Sequence, residues 1–319
     1  MLRNIAVSLL LISGLFLLQS REAAAATRIG VLLYSEEARY YSSFEGIKKE
    51  LAKAGFKEPK ITFVVGDAGG SKAKATELVN RFNHEGLSLL ITLGTNATII
   101  AAREIRNVPI VFCMVYDPVA AGIAKAWKSS GTNATGVSPR IAMSELVKRL
   151  NEVRPAKKIA VLYTPGQENS EVQLKELQAE QQKMGFQVIP VIISHQEDIQ
   201  QILPEVLPIV DSLYFSGSSI VGANIPEIVN LAAKAKVVTF SHLEDLVENG
   251  VMLGVAADPY QLGLITGRKA VAVLKGANPS SIPIEFMKNP QVYLNRKTAK
   301  ATGIKLPDAL IRKAKKVFE

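Results

Sequence analysis

The sequence predicts an α/β protein built as two doubly wound parallel-sheet lobes joined by hinge crossings. Apolar, strand-like runs alternate with amphipathic, helix-like runs from residue 28 onward, and repeated strand–helix units form parallel sheets with helices on both faces. The series also starts twice in the same way. In both places a strand is followed by a helix that ends at a glycine, over nearly equal lengths, from Leu33 to Gly55 and from Leu162 to Gly185. We therefore expect two similar lobes.

The first lobe is predicted from its elements in order. Apolar runs indicate strands at residues 28–34, 61–65, 87–93, 108–115 and 135–138. Phe44, Ile47 and Leu51 recur at spacings of three and four, which predicts a helix over 44–54 that Gly55 ends. Further helices are expected at 72–82, after Thr95 and, as a short one, from Val119.

The second lobe follows the same alternation. Its expected strands are 158–163, 187–193, 212–215, 237–240 and 251–256, and its helices 168–184, 197–206 (interrupted by Pro204) and 226–235. A long helix to Lys275, strands at 282–287 and 292–294, and a final helix continue the chain. Because no linker rich in Gly, Pro or Ser intervenes, we expect close coupling by hinge segments. The predicted lobes are residues 27–140 with about 257–285, and 141–256 with about 286–319.

The first residues are typical of an export signal. Arg3 precedes an apolar core over residues 5–18, and Ala23-Ala24-Ala25-Ala26 offers small-residue cleavage sites. The alternative is a membrane anchor, but the apolar run is shorter than the roughly 20 residues that a span needs. We expect cleavage of residues 1–26 near Ala26. Because no cysteine there allows a lipid anchor, we expect a periplasmic protein.

The composition is that of an ordinary soluble globular protein, with 48% apolar and 21% charged residues. The net charge of +9 comes with lysines spread over amphipathic helices, and no DNA-reading motif is present, so we expect no nucleic-acid partner. A lone cysteine, Cys113, excludes an intrachain disulfide and a Cys-rich metal site. Its apolar run predicts a position in the core.

Catalytic motifs are missing from the sequence. His84, His195 and His242 are far apart and belong to no metal or nucleophile motif, so we expect them at the surface or at helix caps. The chain has no G-x-S-x-G elbow, no P-loop and no G-x-G-x-x-G fingerprint. These absences predict a protein that is not an enzyme and that holds no cofactor and no metal.

Small polar and aromatic residues follow the predicted strands at the point where each strand ends. Ligands of open α/β sheets bind outside the carboxyl ends of the strands, and a helix start there supplies free N–H groups for an anion. The alternative is that these residues only cap helices. The candidate ligand-binding residues are Tyr34, Ser35, Gly94, Thr95, Asn96, Tyr116, Asp117, Thr164, Glu168, Asn169, Ser170, Phe215, Gly217, Ser218 and Asp258.

The pentapeptide Gly-Thr-Asn-Ala-Thr occurs twice, at residues 94–98 and 131–135. The first copy lies between a strand and a helix, where a ligand contact is expected. The second lies in a loop before the last strand of the first lobe. We expect this second copy to shape the approach to that strand and to the hinge, so the two copies are not equivalent sites.

A set of segments spread along the chain carries a family resemblance. They are Leu93-Gly94-Thr95, 108–112, Asp117-Pro118-Val119, 131–138, 154–163, Glu168-Asn169-Ser170, 210–214, 258–263 and 274–279. Together they resemble the ABC transporter substrate-binding proteins of the tryptophan/tyrosine-uptake type. The resemblance implies a type I periplasmic-binding fold with hinge crossings and a ligand in the cleft, and members of the family take up aromatic or other small amino acids.

One position departs from the family pattern. After the strand at 212–215 such proteins often carry an Asp-Asn pair, but this chain has Ser218-Ser219, which removes a carboxylate partner for a ligand ammonium. We expect Asp258, with Asp117, to take a cationic group instead. The other expected contacts are Thr95, Asn169 and Ser170 with an anionic group, and Tyr34, Tyr116 and Phe215 with an apolar or aromatic part.

The function predicted from these features is capture of a small molecule by an exported solute-binding protein. The resemblance implies hinge closure on the ligand and delivery to an inner-membrane ABC permease, and we expect a monomer. Two alternatives stay open. One is a periplasmic sensor of the same fold that presents its ligand to a membrane receptor, and the other is a secreted α/β enzyme with a convergent catalytic set.

Overall fold

The computed structural model describes residues 26–319. The predicted signal peptide, residues 1–26, therefore lies outside the described residues except for Ala26. Within the described part of the chain no helix is both long and apolar enough to cross a membrane.

Strands and helices alternate along the described chain, as predicted. The strands are β1 (Thr27–Leu33), β2 (Ile61–Asp67), β3 (Leu89–Leu93), β4 (Ile110–Cys113), β5 (Ala134–Ser138), β6 (Lys158–Tyr163), β7 (Gln187–Ile192), β8 (Ser212–Phe215), β9 (Val238–Ser241), β10 (Leu253–Ala256), β11 (Glu285–Phe286), β12 (Gln291–Asn295) and β13 (Lys316–Phe318). The α-helices are α1 (Ala38–Lys53), α2 (Lys72–Asn83), α3 (Thr95–Glu104), α4 (Met143–Val153), α5 (Glu168–Met184), α6 (Glu197–Val206), α7 (Ser219–Ala223), α8 (Ile225–Lys234), α9 (Glu244–Glu248), α10 (Pro259–Leu274), α11 (Arg296–Thr302) and α12 (Asp308–Lys313).

The strands form two sheets, one in each lobe. The first sheet has the order β11-β5-β4-β3-β1-β2, and its pairs are parallel. The second sheet has the order β13-β12-β10-β9-β8-β6-β7, in which the β10–β12 pair is antiparallel and the other pairs are parallel. This pair of doubly wound sheets confirms the predicted fold class.

The chain crosses between the two sheets after β5, after β10 and after β11. After the second crossing, α10 packs on α1 of the first lobe. Glycines allow this close approach, because a Cβ at Gly263 would lie 2.1 Å from the Ser43 carbonyl oxygen and one at Gly46 would lie 2.4 Å from the Tyr260 carbonyl oxygen. The returning helix is therefore held directly against the first lobe.

The central strands are buried on both faces, as is usual for parallel sheets. Every residue of β3 and β4 in the first sheet is buried, and so is every residue of β8 and β9 in the second. Cys113, at the end of β4, lies in the core as predicted, and burial raises the pKa of its thiol to about 11. These rigid strands fix the positions of the loops that follow them.

Two predicted helices are wrong. The residues after Val119 form turns. The Asp117 carboxylate accepts the N–H groups of Val119 and Ala120, each at 3.0 Å, as at a helix start, but Gly122 takes a left-handed conformation with a φ of 68° and ends the first turn. The single final helix is replaced by α11, α12 and strand β13. Gly303 ends α11 in a left-handed conformation with a φ of 71°.

Candidate functional site

A cavity lies between the two lobes, at the carboxyl ends of their strands. The free space inside it is about 30 Å³, so the two walls nearly meet in this arrangement of the lobes. The loops after β1, β3 and β4 form one wall, and the loops after β8 and β9 with the start of α5 form the other. The lining residues are Tyr34, Glu37, Arg39, Tyr40, Thr95, Asn96, Met114, Tyr116, Pro139, Gln167, Asn169, Gln173, Gly217, Ser219, His242 and Leu243.

The first-lobe wall is built on the turn between β3 and α3. Gly94 has a φ of 102°, and a Cβ there would lie 2.5 Å from the Tyr40 hydroxyl, so the turn requires glycine. Thr95 and Asn96 then begin α3 and are both buried at the cavity. Because the first N–H groups of a helix have no partner within it, this wall offers donors to an anionic group.

Helix α5 fixes the second-lobe wall. Asn169 Nδ2 donates to the Gly217 carbonyl at 2.6 Å, and Gln173 Oε1 accepts the Gly217 N–H at 2.7 Å. Gln167 makes two hydrogen bonds with Ser219, donating to Oγ at 2.9 Å and accepting the N–H at 3.0 Å. The loop after β8 is therefore tied to the start of α5, and its polar groups hold fixed positions at the cavity.

His242 is a buried, neutral member of the cavity wall. Its Nε2 lies 3.2 Å from Gln173 Nε2, and its Nδ1 lies 2.7 Å from the Tyr214 hydroxyl. Because Gln173 Oε1 already accepts the Gly217 N–H, its amide NH₂ donates to His242 Nε2, and the network assigns the ring proton to Nδ1. Burial, reinforced by the charge of Arg39, lowers the pKa of His242 to about 3.

Three charged side chains from both lobes meet at the cavity. Arg39 on α1 donates from one guanidinium nitrogen to Asp245 Oδ2 on α9 at 2.7 Å, and it also pairs with Glu37. Burial raises the pKa of the Glu37 carboxyl; Arg39 opposes this shift and Asp245 adds to it. Within residues 26–319, no group of three or more His, Cys, Asp or Glu side chains is arranged to hold a metal ion.

Tyr116 and Arg140 connect the lobes beside the crossing that follows β5. The Tyr116 hydroxyl donates to Glu176 Oε2 at 2.5 Å, and the ring packs in the apolar core of the second lobe although its backbone follows β4. The same ring meets His242 edge to face at 5.2 Å. Arg140 pairs with Asp117 at 2.9 Å and also with Glu176. This network ties both lobes to the crossing itself.

The cavity brings together only part of the predicted ligand-binding set. The predicted residues that line it are Tyr34, Thr95, Asn96, Tyr116, Asn169 and Gly217. The predicted residues that are not among its lining residues are Ser35, Gly94, Asp117, Thr164, Glu168, Ser170, Phe215, Ser218 and Asp258.

Several of the predicted residues outside the lining make structural contacts. Asp258 caps α10 by accepting the Gln261 N–H at 3.1 Å, and Ser218 caps α7. Ser170 Oγ accepts the Thr164 N–H at 2.8 Å and so stabilises the turn before α5. These contacts match the alternative role of such residues as helix caps.

Other lining residues carried no prediction. Glu37 and Arg39 lie a few residues beyond the end of β1, and His242 follows the end of β9, so the pattern of polar residues at strand ends extends to them. The expected surface or cap position of His242 is wrong, since only 2% of the residue is exposed. His84 does end α2, and the His195 side chain is exposed.

Comparisons with known proteins agree with this geometry. A family model described as ABC transporter substrate binding protein matches residues 28–318. A tyrosine-binding protein from Clostridioides difficile is 24% identical over 277 residues, which cover 86% of this chain and 80% of the relative.

Two solved structures share the fold of nearly the whole chain. The ABC domain in complex with L-Trp from Streptococcus pneumonia is 25% identical with a TM-score of 0.87, covering 92% of this chain and 100% of that one. The ligand-free, open structure of a substrate binding protein with adhesive properties from Clostridium difficile is 26% identical with a TM-score of 0.72, covering 92% and 99%. Since identity and coverage are alike, the lobes here are arranged more as in the L-Trp complex than as in the open structure.

Proposed function

This chain belongs to the family of ABC transporter substrate-binding proteins, and from that membership we propose that it is the exported solute-binding component of an uptake transporter. It captures a small molecule between its lobes and delivers it to an inner-membrane ABC permease. Since the family binds substrates for transport, no catalytic step is assigned to the cavity.

The observation that carries this proposal is a cavity whose walls come from both lobes. Thr95 and Asn96 belong to the first lobe, and Asn169 and Gly217 to the second. A ligand that touches both walls has a higher affinity for the closed arrangement than for an open one. It therefore shifts the hinge equilibrium toward closure.

The ligand that we propose is an aromatic or other small amino acid. A tyrosine-binding relative and a structure in complex with L-Trp support this class, and Tyr34, Tyr40 and Tyr116 place aromatic rings in the wall. We assign the ligand carboxylate to Thr95 and the free N–H groups of α3, together with Asn169. The aromatic rings would pack on the ligand side chain.

The proposed site of action is the periplasm. The apolar run and the alanine cleavage sites within residues 1–26 support export, and family membership supports a membrane permease as the partner. We propose that the protein acts as a monomer, because one chain supplies both walls of the cavity. N-terminal sequencing of the protein purified from the periplasm tests cleavage near Ala26.

Calorimetric titration with the twenty L-amino acids tests the ligand class. We expect at least one to bind, and we expect Thr95→Ala to weaken that binding about ten- to hundredfold. A hydrogen bond to a charged group contributes about 1.5–3 kcal/mol, which corresponds to that range. Thr76→Ala on the exposed face of α2 is the matched control and should leave the affinity unchanged.

Two outcomes would count against the proposal in different ways. If no amino acid binds the wild-type protein, the ligand class is wrong. If Thr95→Ala binds the amino acid as tightly as Thr76→Ala does, the ligand is not held at the start of α3.

A further inference from the structure

The charges around the cavity do not balance. Of the lining residues, Glu37 and Arg39 are the ones with an acidic or strongly basic side chain, and the lowered pKa of His242 keeps that ring uncharged. Arg39 also pairs with Asp245, so the group contains two carboxylates and one guanidinium. When both carboxylates are ionised, this group therefore carries one net negative charge.

Arg39 is held firmly by the second lobe. Its side chain and that of Asp245 are 5% and 8% exposed, and the bond between them joins α1 to α9. Breaking a buried pair of this kind by removing one partner is strongly destabilising. The guanidinium charge is thus shared between Asp245 and Glu37 and cannot neutralise both.

Glu37 is the carboxylate of this group that faces the cavity. Its Oε2 atom touches Arg39, yet within residues 26–319 no donor meets Glu37 Oε2 or Asp245 Oδ1 in hydrogen-bond geometry. Burial raises the pKa of Glu37 although the charge of Arg39 and the hydroxyl groups of Tyr40 and Ser35 oppose the shift, so the ionised form is less well stabilised in the protein than in water. A largely buried carboxylate in this state takes up a proton more readily than in water, and a further cationic donor would stabilise its ionised form.

We propose that Glu37 is the receptor for a ligand ammonium group, so that the cavity takes small molecules that carry a primary ammonium. An ammonium concentrates three donors on a compact positive charge, and its hydrogen bond to a carboxylate is about twice as strong as a neutral one. Neutral ligands and simple carboxylic acids lack this group and leave Glu37 with only its share of the Arg39 charge, so they are rejected. This assignment rests on the proposed solute-binding function and names its substrate class.

The location of Glu37 suits a ligand that also carries a carboxylate. Glu37 lies in the loop after β1, and the anion-binding N–H groups lie at the start of α3, after β3. Since β1 and β3 are hydrogen-bonded neighbours, both loops emerge side by side at the same edge of the first sheet. A zwitterionic amino acid therefore finds its acceptor and its donors on one wall.

Binding of three matched ligand types tests the proposal. The probes are L-tyrosine and L-tryptophan, the amines tyramine and tryptamine, and the deaminated acids 3-(4-hydroxyphenyl)propionate and indole-3-propionate. For wild type we expect a deaminated acid to bind at least a hundredfold more weakly than its amino acid, while the amine keeps measurable affinity. In Glu37→Gln, we expect the preference for the amino acid over the acid to fall below about tenfold, since the charge that selects the ammonium is gone.

Glu36→Gln is the matched control, because Glu36 is the exposed neighbour in the same loop and should keep the wild-type preference. Melting temperatures of both variants show whether they are folded. If a deaminated acid binds wild type as tightly as its amino acid, or if folded Glu37→Gln keeps the full preference, the role of Glu37 is wrong while the amino-acid function stands. If none of the probes and none of the other amino acids binds wild type, the proposed function and this assignment both fail.

Discussion

At the scale of single residues, His242 makes the folded protein sensitive to acid. Burial, with the charge of Arg39, lowers the pKa of this imidazole to about 3, whereas the unfolded chain takes up the proton near pH 6.5. The stabilisation that the neutral His242 ring provides above pH 6.5 is therefore lost as the pH falls toward 3. Between pH 7 and pH 5 the loss from this residue is about 2 kcal/mol.

The substitution His242→Gln should reduce that pH dependence. At pH 7 we expect the variant to be less stable than wild type, because Tyr214 loses its hydrogen-bond partner at 2.7 Å. Between pH 7 and pH 5 we expect its free energy of unfolding to fall by about 2 kcal/mol less than that of wild type. Chemical denaturation at the two pH values measures both effects. His195→Gln is the control, since that side chain is exposed. A variant whose stability still falls as steeply as that of wild type would show that other groups cause the acid sensitivity.

The cavity-lining residues that the sequence singled out, such as Thr95 and Asn169, lie in loops and helix starts that follow a strand. Glu37 was missed because its chemistry depends on Asp245, which belongs to the other lobe and lies far away in the sequence. Gln173 lies inside α5, where the sequence pattern indicates nothing more than a helix. Roles that arise from contacts between lobes leave no local pattern.

At the scale of elements, the packing of α1 on α10 depends on glycine. A Cβ at Gly263 would lie 2.1 Å from the Ser43 carbonyl oxygen and 2.8 Å from its carbonyl carbon. Because these are backbone atoms of a helix, they cannot move out of the way by a rotamer change, as a flexible side chain could. We expect Gly263→Ala to lower the free energy of unfolding by about 3 kcal/mol, at the upper end of the usual range for overpacking.

Urea denaturation measures this effect against a matched glycine. Gly222→Ala on α7 adds a methyl group whose nearest neighbour is at 3.7 Å, an ordinary contact, so it should leave stability unchanged or raise it by up to about 1 kcal/mol. If the two variants are equally stable, α1 and α10 can move apart at little cost, and glycine does not set the distance between them.

Long elements with clear periodicity were predictable, and short ones were not. Apart from the edge strand β13, which lies where a helix was expected, the strands of both sheets appear where apolar runs predicted them, because buried parallel strands need such runs. Helices α7 and α9 have five residues each, which is too short to show a 3.6-residue period, and neither was predicted. The helix expected after Val119 was wrong because Gly122, with a left-handed φ of 68°, ends the first helical turn.

At the scale of the whole molecule, the lobes are closed on the cavity. Arg39 on the first lobe bonds to Asp245 on the second, and Lys72 Nζ donates to the Gly166 carbonyl across the cleft at 2.5 Å. The internal repeat predicted that there are two lobes, but it could not predict their relative orientation. That orientation depends on a few contacts between residues far apart in the chain, and a ligand can change it.

A disulfide across the cleft tests this closed arrangement. A Cβ at Gly70 would lie 4.0 Å from the Ser219 Cβ, within the 3.5–4.5 Å that a disulfide spans. We expect the double variant Gly70→Cys with Ser219→Cys to form this bond on mild oxidation, and to form it faster with a saturating amino acid, because the ligand raises the closed population. The positive φ of 76° at Gly70 strains any other residue, so the bond should be easily reduced.

Each single variant is a control for the crosslink, and the native Cys113 is fully buried and does not compete. The oxidised double variant should neither take up nor release the amino acid, and reduction should restore both, since a ligand enters only through the open cleft. If the crosslink fails to form even with saturating ligand, the closed arrangement is not populated in solution. If the crosslink forms at the same rate with and without ligand, the lobes close without the ligand. The ligand then fills the closed cavity but does not shift the hinge equilibrium.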